Sequence, residues 1–128
     1  MIQREGSGGP WEERVGYSRV VRGGSNVWVS GCTGVDADGK LVPGGAGPEA
    51  EQALQNVAAA LAQVGAGIND VVRTRIYLTR MEDWETVGVV HGEVFAAARP
   101  ATTMLGVAAL IDPAMSVEIE VDAYVASL

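Results

Sequence analysis

The segment Ser116 to Tyr124, SVEIEVDAY, alternates apolar and polar residues without a break, and that alternation fits only a strand with one wet face. Period two places Val117, Ile119, Val121 and Ala123 on one side and Glu118, Glu120, Asp122 and Tyr124 on the other. Three carboxylates in a row are costly unless hydrated or paired. The segment VVRTRIYLT supplies the matching relief, because Arg73, Arg75 and Tyr77 alternate there with Thr74, Ile76 and Leu78. The two strands are expected to share a polar face that looks onto a cavity, a subunit boundary or solvent.

Helical periodicity appears twice. Pro48 suits a first helical position, and Ala50, Leu54, Val57, Leu61 and Val64 then form one apolar stripe that ends before Gly65. Thr79-Arg80-Met81-Glu82 has capping-box spacing for a second helix ending near Ala97, with Trp84, Val87, His91, Val94 or Phe95, and Ala98 as its stripe. Upstream, YSRVVRGGSNVWVS reads as two short strands joined at Gly23-Gly24-Ser25-Asn26. Further turns are expected from Asp36 to Lys40 and at Ile111-Asp112-Pro113. Residues 1–13, rich in Gly and charge, read as a loose lead-in that Trp11 anchors locally, ahead of one domain over 14–128. The order ββ(β)-α-β-α-β-β predicts an α+β sandwich of about six strands with two helices on one face. The uncovered face suggests a homo-oligomer with wet crevices between subunits.

Composition narrows the function. A net charge of −7 disfavours nucleic acid as a partner, since phosphate binding relies on Lys and Arg displacing counterions. No apolar run approaches the roughly 18 residues of a bilayer span, so no membrane partner is expected. The start, MIQREGSGGPWEE, lacks a signal-type apolar stretch, which predicts a cytoplasmic location. The single Cys32 excludes an internal disulfide.

With those elements in place, GYSRVVR, VWVSGCTG, EQALQNVAAALAQVGAGINDVVRTRIYLT, RPATTM and LIDPAMSVEIEVDA together resemble the Rid/YjgF family, also labelled L-PSP endoribonuclease-like. The resemblance runs in order from residue 14 to 126. It implies a chorismate-mutase-like α+β protomer and a homotrimer with ligand clefts between adjacent subunits. It also implies hydrolysis of imines or enamines such as 2-aminoacrylate, with an arginine just after a Pro-Ala pair holding the substrate carboxylate. Here Thr102 follows Pro100-Ala101. A hydrogen bond to a charged group contributes about 1.5–3 kcal/mol and a guanidinium makes two, so one neutral hydroxyl is a weak replacement. Tyr17 matches the family tyrosine, and Glu118 matches the glutamate associated with activating water. The family's second-helix asparagine aligns with Gly88, and the aromatic residue after it with His91.

Glu118 is therefore the catalytic candidate, set against a plain structural pairing with Arg73 or Arg75. Tyr17, Cys32, His91, Thr102 and Thr103 are candidate ligand neighbours. Each has a bland alternative: His91 as a hydrogen-bonded core residue, Cys32 as a small buried hydrophobe, and the threonines as strand formers. Glu120 and Asp122 are expected to be solvated or ion-paired. His91-Gly92-Glu93 lacks the cysteine half of a zinc-deaminase signature, and the GGAGPEA stretch lacks the phosphate-loop pattern. Neither metal nor cofactor is expected. The leading expectation is a trimer that binds, and possesses the acid to hydrolyse, a small carbonyl, imine or enamine metabolite. A non-catalytic sensing or enzyme-docking module is the alternative, and endoribonuclease activity conflicts with the acidic charge and the lack of a basic, aromatic strip.

Overall fold

The computed structural model describes residues 1–126, so the last two residues of the expected 14–128 domain lie outside the described residues. Six strands form one sheet: β1 (Ile2–Glu5), β2 (Val20–Gly23), β3 (Asn26–Thr33), β4 (Val71–Leu78), β5 (Ala101–Gly106) and β6 (Val117–Tyr124). Their spatial order is β1-β2-β3-β6-β4-β5. Only β4 and β5 run parallel, joined by a crossover through α3 (Trp84–Val94); the other pairings are antiparallel. The longest helix, α2 (Ala46–Gln63), packs against β3, β6 and α3. The expected α+β sandwich, with both long helices on one face, is the observed architecture.

The alternation in β4 and β6 decides which face is dry. Thr74, Ile76, Leu78, Val117, Ile119 and Val121 are all fully buried toward α2 and α3. Each of the Ile, Leu and Val side chains among them contributes about 1.5–3 kcal/mol by leaving water. The expected α2 stripe is buried throughout, from Ala50 to Val64. In α3 the buried positions are Val87 and Val90, with Phe95 just beyond the helix; Trp84 is half exposed and Val94 lies at the surface. The helix begins after a short 3-10 turn at Met81–Asp83, and no side chain caps it, so the Thr79 capping box does not form.

Turn chemistry follows the sequence closely. Gly23 pairs with Asn26 across a two-residue loop, and Gly24 takes φ 61°, the left-handed value such a tight hairpin asks of its first residue. Asp36 closes its turn by accepting from the backbone N–H of Asp38 at 2.9 Å and of Lys40 at 3.0 Å.

The lead-in is the main correction. Residues 1–13 are not loose: β1 pairs along β2, and Pro10–Val15 form the short helix α1. The reason is Glu12. Its buried carboxylate accepts from the backbone N–H and the hydroxyl of Ser7 and lies 3.6 Å from the Arg19 guanidinium. A Gly-rich segment is thereby pinned by one charge pair that period-based reading does not register. A second buried acid, Glu49, accepts from the Ser116 N–H at 2.7 Å and fixes the approach to β6.

Candidate functional site

Pairing of β4 with β6 brings the expected polar face together. Arg75 opposes Glu120, and Tyr77 opposes Glu118. The Arg75 guanidinium lies 3.6 Å from Glu120 and 3.5 Å from Asp122, while the Tyr77 hydroxyl donates to Glu120. Glu120 and Asp122 are thus paired, as expected of them. Trp28, Leu105 and Tyr124 share this open face and are each about half exposed.

Glu118 stands apart from that network. It is half-buried, and among the described residues it has neither an ion pair nor a hydrogen bond; the structural pairing with Arg73 or Arg75 does not occur. Burial is the largest influence on its carboxyl and raises its pKa above the ordinary 4.5; nearby Arg19 opposes the rise and Glu120 adds to it. Its carboxyl lies over Gly31, inside the register shift between Val29 and Cys32 where β3 bulges against β6. A glycine there is what admits the acid.

Arg19 organises the same corner. Its guanidinium donates to the carbonyls of Ser30 at 3.1 Å and Gly31 at 2.6 Å, so it holds the bulge while lying 5.7 Å from the Tyr17 ring centroid. Tyr17, Arg19, Gly31 and Glu118 therefore form one contiguous corner, of which sequence reading found Tyr17 and Glu118. The signal for the other two was the Gly31 interruption of a strand pattern and an arginine immediately before the fully buried Val20 that opens β2.

Of the remaining candidates, Cys32 touches that corner from the core side, whereas Thr103, Thr102 and His91 lie away from it within one protomer. Cys32 is buried in the core, and burial pushes its thiol above the ordinary 9.0 despite Arg19 at 3.5 Å, so in one protomer it packs as a small buried hydrophobe. Thr103 lies on the open face opposite Arg75, but β4 separates its strand from β6, a spacing of roughly 10 Å. Thr102 and His91 are on the other side of the sheet. There the buried Thr74 hydroxyl is 2.9 Å from His91 Nε2 and 2.8 Å from the Thr102 hydroxyl, which also donates to the Pro100 carbonyl at 3.1 Å. Burial lowers the His91 pKa below 6.5, which favours a neutral ring. An added Cβ at Gly88 would meet nothing within 4 Å, so close packing is not its purpose.

The His91 imidazole also walls a cavity of about 250 Å³, together with Gly92, Phe95, Ala96, Arg99 and Pro100. Glu118 lines neither this cavity nor the one between α2 and α3. Its half-buried side chain belongs to the sheet face that carries no helix. Among the described residues no three His, Cys, Asp or Glu side chains gather in a metal-ligand group, and no helix is long and apolar enough to cross a membrane.

Comparison with known proteins agrees with this geometry. Residues 11–125 match the family described as Endoribonuclease L-PSP. A crystal structure from Mycobacterium tuberculosis, described as a member of the YjgF/YER057c/UK114 family, superposes with a TM-score of 0.89 at 44% identity, covering 98% of this chain and 100% of that one. An uncharacterised Streptomyces coelicolor protein is 38% identical over 96% of this chain and 92% of its own length. The 2-iminobutanoate/2-iminopropanoate deaminase of Mus musculus is 39% identical over 73% of this chain and 70% of its own. Sheet order, the acidic strand and these matches together place the chain in the Rid/YjgF family.

Proposed function

We propose that the protein is a cytoplasmic homotrimer that binds a small carbonyl, imine or enamine metabolite in clefts between subunits and hydrolyses the imine. The observation that carries this reading is the half-buried, unpartnered carboxyl of Glu118 on the uncovered sheet face. A structural acid would be paired, as Glu12, Glu49 and Glu120 are. A raised pKa brings the group closer to working pH, where an acid-base catalyst is most effective.

In this reaction water adds its oxygen to the imine carbon, with Glu118 accepting the proton as the C–O bond forms. The C=N π pair moves to nitrogen and Glu118 delivers that proton there, giving a carbinolamine; the carboxylate then takes the carbinolamine hydroxyl proton and passes it to the same nitrogen as the carbon–nitrogen bond breaks and the C=O bond forms, so the products are a carbonyl compound and ammonia. Tyr17 and the Arg19-held bulge shape the pocket beside the acid. Support for assembly comes from the exposed Trp28, Leu105 and Tyr124 among the charges of the uncovered face. The mouse relative bears the name of an imine deaminase, which favours the same chemistry.

A coupled assay with 2-iminopropanoate generated in situ tests this. Turnover by the wild type that survives Thr102→Ala and disappears in Glu118→Gln is the expected result. Absence of turnover on every imine tried favours a second reading, a metabolite-sensing module, which the loss of the carboxylate-holding arginine at Thr102 supports. Such a module gains thermal stability from a ligand that it leaves unchanged. RNA cleavage that a Glu118 substitution abolishes would overturn both.

A further inference from the structure

The outer side of the helical layer carries charge that nothing in the layer balances. None of the nine Lys and Arg residues of the chain lies in α2 or α3, whereas Glu51, Glu85 and Glu93 stand exposed on them. Among the described residues these three acids have no ion pair, although the sheet face answers Glu120 and Asp122 with Arg75. Between the two helices runs a groove of about 370 Å³. Leu54 and Ala58 of α2 and Val90 and Val94 of α3 form its apolar walls, each pair one helical turn apart and so part of one ridge. Each helix adds one exposed carboxylate to the lining, Glu51 and Glu93. From Glu51 to Ala58 the groove spans about 10 Å, two turns at a rise of about 1.5 Å per residue. Val89, 62% exposed, stands one turn before Glu93 and extends the apolar strip along α3.

These features select the occupant. Glu51, Glu93 and Val94 are exposed, so the groove is open along its side and would leave much of a metabolite in water. A second copy packed face to face would set these carboxylates against like charges. Two ridges with a channel between them are instead the surface against which a third helix packs. The unbalanced acids beside the channel ask that such a helix be basic.

We propose that the groove between α2 and α3 docks a basic amphipathic helix of a partner protein. Its apolar stripe enters between the Leu54 and Val90 ridges, and the lysines or arginines flanking that stripe meet Glu51 and Glu93. In the assembly proposed above the sheet faces pack together, which leaves the helical layer turned outward. The docking surface therefore stands apart from the Glu118 face and does not depend on imine chemistry.

The probe is a synthetic helical peptide of two heptads, with leucine at a and d and lysine elsewhere; its control carries glutamate in place of lysine. Titration calorimetry on the full chain, at about 0.15 M salt to screen loose attraction, should show saturable binding of the Leu/Lys peptide alone. Backbone amide shifts should be confined to α2 and α3. The double variant Glu51→Lys with Glu93→Lys should keep the thermal midpoint and weaken binding roughly tenfold or more. Val94→Ser should weaken it about fivefold while leaving the salt dependence unchanged, which separates the apolar contact from the charges. No saturable binding, equal binding of the Leu/Glu peptide, unchanged affinity in the double variant or shifts centred on the sheet face overturns the proposal. Saturable binding of hexylammonium without the peptide also overturns it, by making the groove a metabolite site. Self-association of the wild type that the double variant abolishes does the same, by making it an interface between copies.

Discussion

The carboxyl carbon of Glu118 lies 2.7 Å from the point where a Cβ on Gly31 would sit. The acid occupies the space of the side chain that β3 omits, so strand and carboxylate are fitted to each other. Gly31→Ala should displace Glu118 and strain the bulge, destabilising the fold by about 1–3 kcal/mol, the usual range for overpacking. Urea unfolding measures the loss, and any imine hydrolysis should fall with it.

The raised pKa of Glu118 has a definite sign in stability. Above 4.5 the unfolded chain gives up a proton that the folded chain still holds, so stability falls as pH rises from 4.5 through the folded value. Glu118→Gln should remove that slope and be the more stable protein at neutral pH. Unfolding midpoints compared from pH 4 to pH 8, on the order of unit steps around that pKa, check it.

His91 acts in the opposite direction. Its folded pKa is depressed by burial, so below 6.5 the unfolded chain takes up a proton first and stability declines as pH falls through the folded value. The contribution is fully present above 6.5. A His91→Gln variant should lack this decline in the same unfolding series.

Thr74 is fully buried with its hydroxyl between His91 and Thr102. Thr74→Val keeps the shape but removes the shared partner, and about 1–2 kcal/mol of stability should be lost. The double variant with Thr102→Val should lose less than the sum of the two single changes, because the second hydroxyl has then lost its main partner already.

Glu12 and Arg19 are a mostly buried pair, with side chains 10% and 14% exposed. Glu12→Gln should cost about 3 kcal/mol by leaving the guanidinium without its counter-charge. It should also free Arg19 to stabilise the Glu118 carboxylate, so the Glu118 titration followed by carboxyl NMR should move down.

Period-two alternation made β4 and β6 legible, down to which face is buried and that their charged side chains share the other; which acids Arg75 pairs was not. It worked because both strands have one dry face, which fixes register strongly. The α2 stripe was legible for the same reason. The lead-in was misread because its order comes from Glu12 reaching Ser7 and Arg19, contacts with no local period. The α3 stripe was misplaced toward Trp84 because a 3-10 turn precedes the helix and shifts its phase. Within the site, strand parity separates Thr102 from Thr103, and resemblance alone grouped them with Glu118.

The account rests on the charged sheet face being an interface between copies of this chain that encloses Glu118. Sedimentation equilibrium of the wild-type protein measures this most directly. A mass three times the 13.3 kDa of the chain is the expected result, and a monomer at all concentrations would contradict it.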